Sequence, residues 1–202
     1  MMPGLEHFQI DRIASPLGTL LVVCDDAGRL RALDFHDYEA RMQRLLRVHY
    51  GERGFELVTG RAPAAVADAL AAFFAGALHA IESIEVRTSG TPFQRRVWNA
   101  LRRIPSGVTN SYGELARAIG KPNASRAVGL ANGANPVVIV VPCHRVIGAD
   151  GSLTGFGGGI ERKRWLLEHE RNWCPTPSRT TRPRSEHSDP ATRSPGCFAS
   201  PP

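Results

Sequence analysis

The run Val-Val-Ile-Val-Val at residues 137–141 constrains the fold of this chain more than any other feature. Five consecutive branched aliphatic side chains are unfavourable in water, so the protein must cover them on all sides. A proline bounds the run at each end, and β-branched residues favour extended backbone. We therefore predict a buried strand over residues 136–141. Cys143 and His144 follow it directly, where Pro142 prevents further strand pairing.

Two interpretations of Cys143 follow from the residues alone. Free cysteine is more often an unreactive core residue than a nucleophile, and a reactive thiol needs a cation, a base or a helix terminus beside it. His144 is adjacent, but neighbours in extended backbone point to opposite faces, so a turn or a bridging water must connect the pair. Arg145 adds positive charge, and Glu170 on the last helix is a candidate to orient an imidazole. The loop 148–160 contains six glycines, which let backbone N–H groups approach a ligand closely.

The first part of the chain alternates between strand-like and helix-like patterns. The stretches GTLLVVCDD and RLRALDFH predict two strands joined by a hairpin turn at DDAGR. Helices are indicated over 36–51, which Gly51 ends, and over 63–76, which begins at a proline. A further short strand is expected in SIEVRT, at 83–88. These patterns predict an N-terminal α/β domain over residues 1–88 that has no catalytic constellation.

Helix boundaries are marked more sharply in residues 89–172. Thr91 and Gln94 are spaced as a capping box, and so are Ser111 and Glu114. A buried strand, a glycine-rich loop and a final helix over ERKRWLLEHE follow. Residues 89–172 are therefore predicted to form a second, C-terminal domain.

Two short helices in this domain, over 111–120 and 124–133, have the dimensions of a helix-turn-helix. The second is unusually thin because small residues occupy nearly every position. Such a helix suits either tight packing against another helix or insertion into a groove as narrow as the minor groove of DNA. Arg126 is the one long side chain near its start. The small residues that are candidates to face DNA are Ser125, Ala127 and Gly129.

Charge is distributed unevenly along the sequence. Residues 1–90 contain 9 Lys and Arg against 12 Asp and Glu, a balance of −3, whereas residues 91–171 contain 12 against 5, a balance of +7. The basic excess therefore lies in the part that contains Cys143. It indicates either a polyanionic partner or a solvated basic face.

The remaining composition narrows the compartment and the cofactors. No two of the four cysteines have the spacing of a zinc site, so we expect neither a metal nor a cofactor. The sequence has no apolar run long enough to span a bilayer and no signal-peptide pattern at its start, so we expect a cytoplasmic protein without a membrane partner. Residues 173–202 hold 7 of the 15 prolines and are predicted to be a disordered tail.

Taken together, these motifs are those of a known family. The stretch SYGELARAIGKPNASRAVGLANGANPVVIVVPCHRVIGADGSLTGFGGG, with PCHRV at its centre, closely resembles the O6-alkylguanine-DNA alkyltransferases, also called methylated-DNA–protein-cysteine methyltransferases. The match runs from about Thr91 to Glu170, and SPLGTL at 15–20 is similar to a short motif of the family's N-terminal domain. The resemblance implies a small ribonuclease-H-like α/β domain followed by a winged-helix-like DNA-binding domain with a helix-turn-helix.

The resemblance also implies roles for residues of the catalytic centre. Cys143 would be the alkyl acceptor, His144 would act on it through a water, and Glu170 would hold His144. Asn135 matches the family's hinge asparagine. Tyr112 matches the tyrosine that hydrogen-bonds the base and helps to protonate the departing guanine.

DNA contacts and base recognition follow from the same match. Helix 124–133 would lie in the minor groove, and Arg126 would fill the gap left by a flipped-out nucleotide. Phe156 stands where many members have tyrosine and can still form a wall of an apolar pocket. The positions whose backbone groups would grip the guanine are Cys143, Val146, Leu153 and Gly157.

The implied activity is direct repair of O6-alkylguanine, and of O4-alkylthymine, in double-stranded DNA by a monomer that acts once. Three other functions are consistent with parts of the sequence. A catalytically silent relative would lack the acceptor cysteine. A helix-turn-helix transcription factor would carry bulkier polar residues on its recognition helix. A cysteine hydrolase would turn over repeatedly and ignore DNA.

Overall fold

The structure is a computed structural model that describes residues 5–51 and 54–174. All but the first two residues of the predicted disordered tail, and Cys197 with them, lie outside the described residues. Trp173, which the sequence analysis assigned to the tail, is the last residue of the final helix. No helix in the described ranges combines the length and apolar character needed to cross a membrane.

A four-stranded mixed sheet forms the first half of the molecule. Its strands are β1 (Glu6–Ile13), β2 (Leu20–Asp25), β3 (Leu30–Phe35) and β4 (Phe55–Thr59), in the spatial order β3-β2-β1-β4. The pairs β1–β2 and β2–β3 are antiparallel, whereas β4 joins β1 in parallel.

The sequence predicted only part of this sheet. The hairpin of β2 and β3 is confirmed, and every residue of both strands is buried. Strands β1 and β4 were missed. The strand expected at 83–88 is reduced to a single bridge, between Val86 and Leu30.

Two α-helices and two 3₁₀ segments accompany the sheet, and the first 3₁₀ segment spans His36–Tyr38. Helix α1 (Glu39–Tyr50) buries Met42, Leu45 and Leu46, so its apolar residues face the protein at helical spacing. Helix α2 spans Ala64–Phe74, and a 3₁₀ segment follows over Leu78–Ser83. Both helices predicted from the sequence in this part are therefore confirmed.

The second half contains four helices and two strands of two residues each. They are α3 (Pro92–Leu101), β5 (Asn110–Ser111), α4 (Tyr112–Ala118), α5 (Ser125–Gly133), β6 (Val146–Ile147) and α6 (Ile160–Trp173). Both predicted capping boxes are present, at the starts of α3 and α4. Helices α4 and α5 form the helix-turn-helix and pack against each other and against α3.

The predicted strand over 136–141 is wrong. Residues 137–141 are buried as expected, but they fold into a compact turn in which Val141 N donates to Val137 O at 3.0 Å. Ile139 occupies the left-handed region with φ 69°, which a β-branched residue adopts only where its surroundings hold it there. The Asn135 side chain closes the turn, with Val137 N donating to its Oδ1 at 3.0 Å and its Nδ2 donating to Val141 O at 2.8 Å.

This buried turn also connects the two halves. Leu33 N donates to Pro136 O at 2.9 Å, and Val138 N donates to Leu33 O at 3.0 Å. Strand β3 therefore holds the segment that leads to Cys143, and apolar residues of both halves form one continuous cluster.

Removing the cap of α3 should destabilise the protein without touching the cavity around Cys143. The Thr91 hydroxyl accepts from Gln94 N at 3.2 Å, so Thr91→Ala leaves an N–H group of the first turn without its partner. We expect the free energy of unfolding in urea to fall by about 1 kcal/mol. Thr109→Ala, at an exposed loop position, is the control and should change it by less than half as much. Equal effects of the two variants would contradict the role of the cap.

Candidate active site

Cys143 lies at the start of a 3₁₀ turn, Cys143–Arg145, that follows the buried turn directly. Its side chain is almost wholly buried, at 2% exposure, yet it lines a cavity of about 390 Å³. The cavity lies between α5, the start of α4 and the glycine-rich loop. Its other lining residues are Tyr112, Gly129, Asn132, Gly133, Gly155, Phe156 and Gly157.

The Cys143 thiol is held by Asn135, whose Nδ2 donates to Sγ at 3.1 Å. Burial raises the pKa of the thiol, while the Asn135 hydrogen bond and the positive charges of Arg41 and Lys163 act in the opposite direction. Burial dominates, so the thiol is protonated at neutral pH in this state. A base must therefore remove the proton before the sulfur becomes an effective nucleophile.

The His144 side chain reaches the last helix, α6. Its Nε2 lies 2.7 Å from Glu170 Oε1, and both side chains are fully buried. Burial lowers the pKa of His144, which leaves the imidazole neutral at neutral pH. Its Nδ1 is buried and has no hydrogen-bond partner among the residues of the structure described above. A neutral imidazole whose Nε2–H is bonded to a carboxylate presents Nδ1 as a free acceptor.

Glu170 is the centre of a buried network. It accepts from Arg145 Nη2 at 2.8 Å, from Arg145 Nε at 3.0 Å and from Gly107 N at 3.0 Å. Burial alone would raise the pKa of Glu170, but its contacts with His144 and Arg145 outweigh burial and lower it to about 2. The carboxylate is therefore ionised, fixes the imidazole tautomer and stabilises an imidazolium if one forms.

The other predicted residues of the base pocket take different positions. Tyr112 lines the cavity and its hydroxyl lies 2.8 Å from Thr154 Oγ1. Phe156 and Gly157 also line it. Val146 is fully buried, and its carbonyl accepts from Lys163 Nζ at 2.6 Å.

Helix α5 presents a distinct outer face beside the cavity. Arg126, Ala127 and Leu130 are exposed, and Leu130 reaches 74% exposure. Gly129 lies between this face and Tyr112, where an added Cβ would meet the tyrosine ring at 3.7 Å. Gly129 thus allows the close packing that the sequence left as one alternative, whereas insertion of the helix into a groove stays a prediction.

Sequence reasoning missed several polar residues of the site. Asn132 is buried, lines the cavity and has no partner for its Oδ1 within the described ranges. Lys163 is fully buried and has a pKa lowered to about 8, first by burial. On α6, Lys163 precedes Leu166 by one turn and Glu170 by two turns. This helical spacing could have indicated that Lys163 lies on the same face as those two residues. Arg41 of α1 has no such signal, because it lies far away in the sequence.

Comparisons with known proteins agree with this geometry. Residues 92–172 match the family model "6-O-methylguanine DNA methyltransferase, DNA binding domain", and residues 11–88 match "6-O-methylguanine DNA methyltransferase, ribonuclease-like domain". The methylated-DNA–protein-cysteine methyltransferase of Salmonella typhimurium is 56% identical over 160 residues, which are 79% of this chain and 94% of that protein. The enzyme of the same name from Shigella flexneri is 51% identical over equal shares.

Solved structures show the same similarity. The crystal structure of Mycobacterium tuberculosis OGT in complex with DNA has a TM-score of 0.66 and 43% sequence identity, and covers 84% of this chain and 95% of that one. The O6-methylguanine-DNA methyltransferase from the hyperthermophilic archaeon Pyrococcus kodakaraensis has a TM-score of 0.62 at 28% identity, over 81% and 98%. The fold class expected from the sequence, a small α/β domain followed by a DNA-binding domain, is thereby confirmed.

The buried network makes a testable contribution to stability. The folded-state pKa of Glu170 lies below its ordinary value of 4.5, so the unfolded chain binds a proton first as the pH falls. The stabilisation is complete above pH 4.5 and is lost as the pH falls toward about 2. Glu170→Gln should lower the free energy of unfolding at pH 7 by about 3 kcal/mol, because Arg145 is left unpaired. The difference from the wild type should shrink between pH 4.5 and 2.

The control is Glu168→Gln, an exposed position on the same helix. Urea unfolding of both variants across this pH range measures the effect. A constant offset between Glu170→Gln and the wild type at all pH values would contradict the proposed linkage.

Proposed function

The chain belongs to the 6-O-methylguanine DNA methyltransferase family, and we propose that it repairs O6-alkylguanine in double-stranded DNA by transferring the alkyl group to Cys143. The observation that carries this proposal is the position of the Cys143 thiol. It lines a cavity beside an exposed thin helix, with a buried imidazole–carboxylate pair behind it. A cysteine that served only as core would have no cavity of about 390 Å³ in front of it.

Transfer begins with deprotonation of the thiol. His144 Nδ1 is buried and has no hydrogen-bond partner among the described residues, so it is the acceptor to which one bridging water carries the proton from Sγ. Glu170 stabilises the resulting imidazolium. This relay needs no direct contact between the adjacent Cys143 and His144 side chains.

The thiolate then attacks the alkyl carbon in line with its bond to O6. The new S–C bond forms as the C–O bond breaks, and the bonding electrons pass to the guanine. Tyr112, on the cavity wall, donates a proton to the base, so neutral guanine leaves. The proton that His144 took from the thiol then returns Tyr112 to its phenol form, and no net proton is gained or lost. The product is a thioether, which is stable to hydrolysis. The protein therefore acts once, as a suicide enzyme, and needs no cofactor.

The target base must leave the duplex to reach the cavity. Flipping costs a few kcal/mol and is easiest for a weakened base pair such as one with alkylated guanine. We assign α5 to the minor groove because it lies beside the cavity and because the small side chains of Ser125, Ala127 and Gly129 let its backbone approach DNA. Arg126, exposed at the start of α5, is long enough to fill the vacated position in the stack.

Phosphate contacts come from the basic half of the chain. Arg95, Arg96 and Arg103 of α3 and the turn after it line a groove next to α4. Their charges favour a polyanion and make the affinity dependent on salt. O4-alkylthymine carries the same alkyl–oxygen bond on a smaller ring, so we include it among the substrates. One chain contains every group used here, so we propose that a monomer acts.

Alkyl transfer can be measured directly on the protein. Incubation with an excess of duplex carrying one O6-methylguanine should leave one methyl group on the tryptic peptide that contains Cys143, in an amount equal to the protein. Cys143→Ala should leave the duplex unrepaired, whereas Cys174→Ala, which removes a half-buried thiol elsewhere, should repair it normally. Repair by Cys143→Ala, or more than one methyl group removed per protein molecule, would falsify the proposal.

The role of Tyr112 is open to a kinetic test. Tyr112→Phe removes the proton donor but keeps the ring, so the single-turnover transfer rate should fall about 100-fold while affinity for the duplex stays within about threefold. Tyr50→Phe is the control, because Tyr50 packs against Phe8 and Phe55 in the first domain. A transfer rate of Tyr112→Phe equal to that of Tyr50→Phe would exclude Tyr112 as the proton donor.

A further inference from the structure

Three consecutive glycines, residues 157–159, end the loop that forms one wall of the cavity. Each lies against a side chain of the segment 35–41, which belongs to the first domain. An added Cβ on the first or second glycine would come under 3.0 Å from that side chain, and the third has φ +91°. The facing side chains are, in the order of the glycines, Arg41, Phe35 and Tyr38. The first domain therefore sets how far this wall can move outward.

Arg41 also reaches the other wall of the cavity. Its Nη2 donates to Gly133 O at 3.0 Å and to Asn135 O at 2.9 Å, at the end of α5 and just after it. Gly133 lines the cavity from α5, as Gly157 does from the loop. One guanidinium thus lies against both walls, next to the asparagine that holds the thiol.

The position of this guanidinium is itself fixed. Arg41 Nη1 pairs with Asp34 Oδ2 at 2.5 Å, and Asp34 is fully buried at the end of β3. Asp34 Oδ1 accepts from Phe35 N at 3.0 Å, which orients the carboxylate. The planar guanidinium fork bonds the carboxylate and two carbonyl oxygens at the same time, which an ammonium group on a flexible stem does not reproduce.

We propose that Arg41 is a positioning residue that sets the width of the alkyl pocket by holding the end of α5 and the glycine loop at a fixed separation. The inference rests on the proposed function. Weakening this connection lets the two walls separate. A methyl group then lies less well aligned with the sulfur, while a bulky alkyl group gains room.

The test compares two alkyl groups in the same protein. Single-turnover transfer to Arg41→Lys is measured with saturating duplex that carries either O6-methylguanine or O6-benzylguanine. Both duplexes make the same contacts outside the pocket, so the ratio of the two rates cancels effects on DNA affinity. We expect the methyl rate to fall and the benzyl-to-methyl ratio to rise at least about threefold.

Arg44→Lys is the matched control, since Arg44 is exposed on the same helix. Its ratio should equal that of the wild type. The double variant Asp34→Asn/Arg41→Met removes the guanidinium without leaving a buried carboxylate unpaired, and it should raise the ratio in the same direction. Circular dichroism establishes that each variant is folded before its rates are compared.

The outcomes separate this inference from the proposed function. If the wild type transfers both alkyl groups to Cys143 and the Arg41 variants keep its ratio, the inference is overturned. Equal losses in both rates also overturn it, because they indicate a general effect of charge or stability rather than pocket width. If the wild type modifies Cys143 with neither duplex, the proposed function itself fails.

Discussion

The hydrogen bonds of the Asn135 side chain determine where the reactive sulfur lies. They close the buried turn through Val137 and Val141, and Nδ2 also reaches Cys143 Sγ at 3.1 Å. The side chains of this turn are apolar and cannot hydrogen-bond its backbone. One buried amide therefore bonds backbone groups that would otherwise be buried without a partner. The same amide thus shapes the polypeptide and fixes the thiol. Asn135 therefore contributes both to the stability of the segment and to the geometry of the site.

Burial shifts the pKa of the thiol and the pKa of the imidazole in opposite directions. Burial raises the pKa of Cys143 and lowers that of His144, so both groups are neutral before substrate arrives. Glu170 remains charged because His144 and Arg145 both bond to its carboxylate. A negative charge held behind a neutral imidazole favours uptake of a proton by that imidazole. The resting protein therefore protects its thiol while keeping a proton acceptor ready.

The sequence predicted local features well and long-range ones poorly. Capping boxes, the β2–β3 hairpin and the helix-turn-helix depend on neighbouring residues, and all are present. The run at 137–141 was correctly predicted to be buried but not to turn, because the turn depends on a side chain outside the run. The family resemblance named Cys143, His144 and Glu170. Neither pattern nor resemblance indicated Arg41, whose hydrogen bonds to the end of α5 join residues more than ninety positions apart.

Irregular backbone explains why buried and partly buried cations surround this site. Close approach to a base needs loops rather than strands. In a loop, carbonyl oxygens lack the N–H donors that a neighbouring strand would supply. Three cations supply those donors: Arg41 to the end of α5, Arg145 to Ile104, and Lys163 to Val146 and Thr154.

The two arginines have carboxylate partners, in Asp34 and Glu170. Lys163 is held by carbonyl oxygens, and burial lowers its pKa to about 8. The positive charge of Arg41 and Lys163 also favours the thiolate form of Cys143, so the groups that satisfy the loops assist the chemistry.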